Sequence, residues 1–159
     1  PSIYPMPTTL SLTADLLRLK SLGRRIGIEG RTEPIGVTKS PTVEWVVGAA
    51  LAMRRADWER LGGMDEKFFL WYEDVDLGVR VGRAGGTVAM CRDVRIRHIG
   101  ASTWNRLTRR RRQWLRFLGS RRLAAKHLGP WAVAVIVLAA PFALAIGVVL
   151  DVAHRIARR

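Results

Sequence analysis

The chain has 159 residues, 48% of them apolar and 25% charged, which is enough length and apolar content for a packed core and excludes a disordered tail. Its 27 Lys and Arg outweigh 13 Asp and Glu to give +14, with no acid between Asp93 and Asp151 and eleven Lys or Arg from Arg95 to Lys126. The single cysteine, Cys91, excludes a disulfide framework and a cysteine-built zinc site.

Charge of one sign gathered in one segment points to a polyanion, either nucleic acid or an anionic membrane surface. The chain opens at Pro1 with no methionine and no secretory signal, which predicts a fragment whose N-terminal part is missing.

Residues 1–42 are rich in Pro, Gly, Ser and Thr and predict a loop-rich segment. One helix is expected at Leu10–Leu22, with Leu12, Leu16, Leu17 and Leu19 on its apolar face and Thr13 as N-cap. Val43–Met53 is a run of β-branched and small residues and predicts a buried strand. Ala56–Leu61 predicts a short helix stopped by Gly62-Gly63. Phe68, Phe69, Trp71 and Tyr72 form an aromatic cluster, with the two Phe expected in the core.

Glu73–Arg83 carries conflicting signals. Val75, Leu77, Val79 and Val81 alternate as in a strand, yet Asp74, Asp76 and Gly78 are poor strand residues. Acids in a first turn and an Asp76–Arg80 pair at i,i+4 favour a helix, ended by Gly85-Gly86. Thr87–Cys91 and Val94–Ile99 predict short strands.

Beyond residue 103 the chain changes in kind. Trp104, Leu107, Trp114, Leu118, Ala125 and Leu128 fall on one face of a basic amphipathic helix over 104–128. Trp131–Leu150 is then twenty residues without a charge, long enough to cross the hydrocarbon core of a bilayer or to re-enter it, and 129–159 reads as a membrane segment with a basic tail. Tryptophans interleaved with arginines suit a headgroup interface and disfavour nucleic acid as the partner. Nine Lys or Arg precede the run in 105–130 and three follow it, which predicts a cytoplasmic location for what precedes the run.

Four pieces between Trp45 and Ser102 occur in an order that resembles the second half of family 2 glycosyltransferases with the GT-A fold, rhamnosyltransferase-like and galactofuranosyltransferase-like members in particular. They are Trp45-Val46-Val47-Gly48-Ala49-Ala50-Leu51 with Arg54-Arg55, Gly62-Gly63-Met64-Asp65-Glu66-Lys67-Phe68-Phe69, Trp71-Tyr72-Glu73-Asp74-Val75-Asp76-Leu77 with Arg80, and Arg97-His98-Ile99-Gly100-Ala101-Ser102. The resemblance implies an α/β fold, with 43–103 as the acceptor-side catalytic half of a GT-A domain and 1–42 as a loop-rich part of the same domain.

The implied activity is inverting transfer of a sugar from a nucleotide-sugar donor to a polysaccharide or lipid-linked glycan acceptor. Asp74 is the implied general base and Glu73 the residue that orients the acceptor or the base. Trp45, Gly48, Ala49, Trp71 and Tyr72 would form the acceptor site, and His98 would be a ligand of the donor's divalent cation, Mg²⁺ or Mn²⁺. A carboxylate suits the first role because it can take the acceptor hydroxyl's proton as the oxygen attacks the anomeric carbon. Taken alone, Asp74 is equally a first-turn carboxylate that stabilises a helix dipole. Asp65 and Glu66 are expected to shape a turn.

The family's Asp-x-Asp motif for metal and diphosphate has no match in a suitable place, so most of the cation site and the donor site are expected in a missing N-terminal half. The rival is a non-catalytic basic module that binds membrane or nucleic acid.

Overall fold

A computed structural model of the chain describes residues 6–19, 42–91, 94, 96–97 and 106–156. It divides into two compact units. One comprises Pro1–Met6 and Gly30–Gly100, the other Pro7–Glu29 and Ala101–Arg159. The described residues hold five helices and a single pair of two-residue strands.

The first unit contains strand β1 (Thr42–Val43), helix α2 (Arg55–Leu61), helix α3 (Glu73–Arg83) and strand β2 (Val88–Ala89). β1 and β2 pair antiparallel, Thr42 opposite Ala89 and Val43 opposite Val88. The strand expected over Val43–Met53 is therefore only its first residue. The chain turns at Gly48–Ala50 and leaves Val47 48% exposed, because the Gly48 N–H is given to a side chain rather than to a ladder. Of the expected Val94–Ile99 strand, Val94, Ile96 and Arg97 are described and carry no strand.

α2 ends as its glycines require. Gly62 sits at φ 77, and the Gly63 N–H donates to the Trp58 carbonyl at 2.9 Å. α3 is a helix, as its first-turn acids and Asp76–Arg80 spacing predict. Its apolar side, Val75, Leu77 and Val81, forms the core of the unit with Phe68. Phe69, expected beside Phe68, is 74% exposed.

The second unit packs three helices on one another: α1 (Thr9–Leu16), α4 (Arg109–His127) and α5 (Pro130–Ile156). α1 thus groups with the C-terminal helices, whereas the sequence assigned 1–42 to the transferase domain. It starts earlier than expected because Thr8, not Thr13, is the N-cap. Thr8 Oγ1 accepts from the Ser11 N–H and Ser11 Oγ from the Thr8 N–H, a reciprocal capping box. Thr13 lies inside the helix, its hydroxyl donating to the Thr9 carbonyl.

α4 and α5 form a hairpin turned at Gly129, φ 91. α4 buries Gln113, Leu115, Gly119, Ser120, Leu123 and Ala124, and α5 buries Ala132, Ile136, Ala139 and Ala143. This is not the face the large apolar residues of α4 predicted: Trp114 is 45% and Leu128 38% exposed. Small residues let the two backbones approach, and tryptophan cannot do that. Gln113 pins the packing, its amide donating to the carbonyls of Leu16 (2.8 Å) and Ala143 (3.3 Å) and accepting from Arg18 Nε (3.1 Å).

Candidate active site

The acids of Trp71–Leu77 meet the chain near Gly48 at the N-terminus of α3. Asp74, in the first turn, is held at both oxygens by backbone: Oδ1 accepts from the Val75 N–H at 2.8 Å and Oδ2 from the Gly48 N–H at 2.9 Å. The first bond uses a donor that the helix start leaves without an intrahelical partner. The second ties the helix to residues 26 positions earlier. A carboxylate oxygen has a further lone pair beyond the one each N–H occupies, so the group is fixed in direction yet can still accept a proton.

Glu73 beside it is in a different state. Its Oε2 is buried with no hydrogen-bond partner. Burial pushes its carboxyl above the ordinary value near 4.5; a hydrogen bond from its own backbone N–H pulls down, and the neighbouring Asp74 charge adds to the rise. Two adjacent carboxyls thus differ in environment, one locked by backbone donors at both oxygens and one half-buried with its Oε2 lacking a donor.

The chain enters this helix under strain. Trp71 has φ 66 and Tyr72 φ 72, two consecutive bulky residues in the left-handed region, at roughly 1–3 kcal/mol each. No glycine relieves them, so the surrounding structure imposes this geometry just before the acids.

One turn further on, the helix is clamped. Asp76 is fully buried, and its Oδ2 takes Arg80 Nε at 2.8 Å. Arg80 spends its other two nitrogens on the carbonyls of Leu61 (2.6 Å) and Gly63 (2.7 Å), the end of α2. On the same helix Gly78 lies against Glu44 and Trp45: a Cβ there would come within 2.6 Å of Trp45 Cβ and 2.7 Å of the Glu44 carbonyl. Three links at Asp74, Gly78 and Arg80 therefore clamp α3 to the segments before and after α2.

Of the residues expected in the site, Glu73 and Asp74 share the first turn, Gly48 touches Asp74, and Trp71 and Tyr72 lead directly into it. Trp45 is half-buried with its backbone against Gly78, so part of it packs structure rather than facing a ligand. Ala49 is exposed in the turn beyond Gly48. His98 lies outside the described residues. Among the described residues no group of three His, Cys, Asp or Glu forms a metal site. The described residues therefore supply no set of ligands that by itself fits a divalent cation. The sequence missed the cross-chain partners of all three links. The signal for one was there: a glycine in mid-helix is unfavourable unless another backbone must come close.

Comparison with known proteins adds three findings. Residues 34–157 match the family described as Glycosyl transferase family group 2. Two curated proteins named N-acetylglucosaminyl-diphospho-decaprenol L-rhamnosyltransferase, from Mycobacterium tuberculosis strains CDC 1551 / Oshkosh and ATCC 25618 / H37Rv, are each 44% identical over 55 residues, 35% of this chain and 18% of theirs. The match therefore spans under a fifth of those relatives' length. No solved structure matches.

Proposed function

The chain belongs to glycosyl transferase family group 2, and from that membership we propose that it is the acceptor-side part of an inverting sugar transferase. Asp74 is its general base. The acceptor hydroxyl lies against Asp74 and gives up its proton as its oxygen bonds to the anomeric carbon. The bond from that carbon to the donor's diphosphate breaks on the opposite face, and the nucleoside diphosphate leaves with the electron pair. Displacement in one step inverts the anomeric centre.

The observation that carries this proposal is the fixation of Asp74. A base gains its roughly 10²–10⁴-fold by being held where the proton is, and both Asp74 oxygens are held by backbone N–H groups. Glu73, half-buried beside Asp74 in the same first turn, orients the acceptor or the base. Trp71 and Tyr72 offer faces on which the ring can pack.

A donor-binding half beyond these 159 residues, with a divalent cation, would bind the nucleotide-sugar, and His98 is its proposed contribution from this chain. The acceptor class follows from two features. The curated relatives are named for a diphospho-decaprenol acceptor. Helix α5 holds a 20-residue apolar stretch, Pro130–Val149, of which only 22% is buried, unlike the core helix of a soluble domain. We therefore place the protein at the cytoplasmic face of a bacterial membrane, acting on a lipid-linked glycan.

The test is transfer from labelled nucleotide-sugars to lipid-diphosphate glycans by the chain joined to its donor-binding half, with the product's anomeric configuration read by NMR. A product inverted relative to the donor is expected. Retention, or hydrolysis of the donor with no glycan product, would contradict the proposal.

A further inference from the structure

The three-helix unit carries apolar and cationic residues in an arrangement that membrane association alone does not specify. Trp131, Leu138, Phe142, Val149 and Ile156 are 65–78% exposed. At 3.6 residues per turn they fall within about 40° of arc, a continuous stripe about 38 Å long. On α4 the expected apolar face, Trp114, Leu118, Ala125 and Leu128, also points outward. Arg110 and Arg121 edge it on one side and Arg111 and Arg122 on the other. The two helices meet at a cleft of ≈ 340 Å³ in which Trp114, Leu144 and Val148 lie beside Arg18, Arg109 and Arg110.

The register of the hairpin decides how such a unit meets a bilayer. Gln113 bonds to Ala143, so Arg116 lies level with about residue 140 of α5 and Arg121 and Arg122 with about residues 134–135. The middle of Pro130–Val149 is near residue 140. If α5 crossed the bilayer with α4 packed on it, all three would sit within the ~15 Å half-thickness of the hydrocarbon core, Arg116 paired with Asp15 at 3.5 Å but Arg121 and Arg122 on a helix with no acid. Each would disfavour insertion on the order of a hundredfold. Laid flat, the same unit puts the α5 stripe into the acyl layer and leaves the exposed α4 arginines, Arg110, Arg111 and Arg121, free to reach the lipid phosphates rather than the hydrocarbon.

We propose that the α1–α4–α5 unit is monotopic: it lies in the plane of an anionic leaflet, with the α5 stripe in the acyl layer and the Arg18–Arg109–Arg110 cleft against lipid phosphate, and α5 does not span. The occupant is the bilayer surface, chosen for its charge. α4 carries eight Lys or Arg and no acid, which complements an anionic headgroup layer. This inference rests on the membrane location proposed above.

The experiment reads depth. In the full chain with Cys91→Ser, single cysteines at Leu138, Phe142 and Val149 carry bimane. These positions are outward-facing, so the fold tolerates the label. Vesicles of equal phosphatidylglycerol and phosphatidylcholine contain lipids brominated at two depths. A unit lying flat gives all three labels the same shallow depth within about 3 Å. A spanning helix places Val149 about 16 Å along the bilayer normal from Leu138 at 1.5 Å per residue, which would overturn the inference and keep the membrane location. A chain that fails to float with these vesicles would overturn both. Labels shielded from lipid together with a dimer in sedimentation would assign the stripe to a second copy and overturn the inference as well. Arg109→Gln with Arg110→Gln is expected to lower affinity for these vesicles at least tenfold and leave affinity for pure phosphatidylcholine unchanged. Equal losses on both vesicles would remove the cleft from the proposal.

Discussion

Helices α3 and α4 are both rich in charge and use it in opposite ways. α3 buries its central pair: Asp76 is fully inside and the Arg80 side chain is 17% exposed, with every Arg80 nitrogen on a named acceptor. α4 exposes Arg110, Arg111 and Arg121, half-buries its other four arginines, and buries glycine, serine, alanine, leucine and one glutamine. The first arrangement fixes one helix in one position. The second leaves a face free for a surface to occupy. The difference lies in partners: α3 carries an acid at i,i+4 spacing from Arg80, whereas α4 has no acid of its own and Arg116 takes its counter-charge from Asp15 of α1.

The contrast is sharpest under substitution. Arg80→Met leaves Asp76 buried without its partner and frees the Leu61 and Gly63 carbonyls, so a loss of about 3–5 kcal/mol is expected in urea unfolding. A loss under about 1 kcal/mol would show that the pair does not clamp α3. Leu123→Ala in α4 opens a cavity and should cost about 2–4 kcal/mol, against less than about 1 for Trp114→Ala. Equal losses would restore the face that the large residues predicted. Gly78→Ala pushes a methyl into Trp45 and the Glu44 carbonyl and should cost about 1–3 kcal/mol, with Gly82→Ala, which meets nothing within 4 Å, as the neutral control.

The smallest effect concerns pH. The Glu73 carboxyl is raised, chiefly by burial, so its stabilising contribution is whole below its ordinary value near 4.5 and is lost as pH rises through the folded value. Glu73→Gln should therefore raise Tm at pH 7 and leave it unchanged near pH 3. A variant less stable than wild type at pH 7 would reverse the sign.

Much of α3 was legible in the sequence. Its type, its ends and the Asp76–Arg80 pair follow from local spacing. What spacing could not supply was the partner across the chain. The Gly48 N–H reaching Asp74, and Trp45 lying on Gly78, join residues 26 and 33 positions apart. The expected strand at Val43–Met53 failed for the same reason, since β propensity says nothing of where an N–H finds its acceptor. In α4 the apolar period was real but marked the outward face, because close helix packing selects small residues and periodicity counts large ones. Thr13 lost the N-cap to Thr8, whose Ser11 partner made a capping box that lacks the usual acid or amide.

The central claim is that Asp74, and not its buried neighbour Asp76, does the chemistry. The most direct test is the turnover number of Asp74→Asn at saturating donor and acceptor, in the chain joined to its donor-binding half. The account predicts a fall of at least about 10²-fold with the fold retained and Tm lowered by only about 2–5 °C, since asparagine keeps one oxygen for a backbone N–H and loses the bond to the other. Turnover within about threefold of wild type would contradict it and return Asp74 to the role of a helix-end carboxylate.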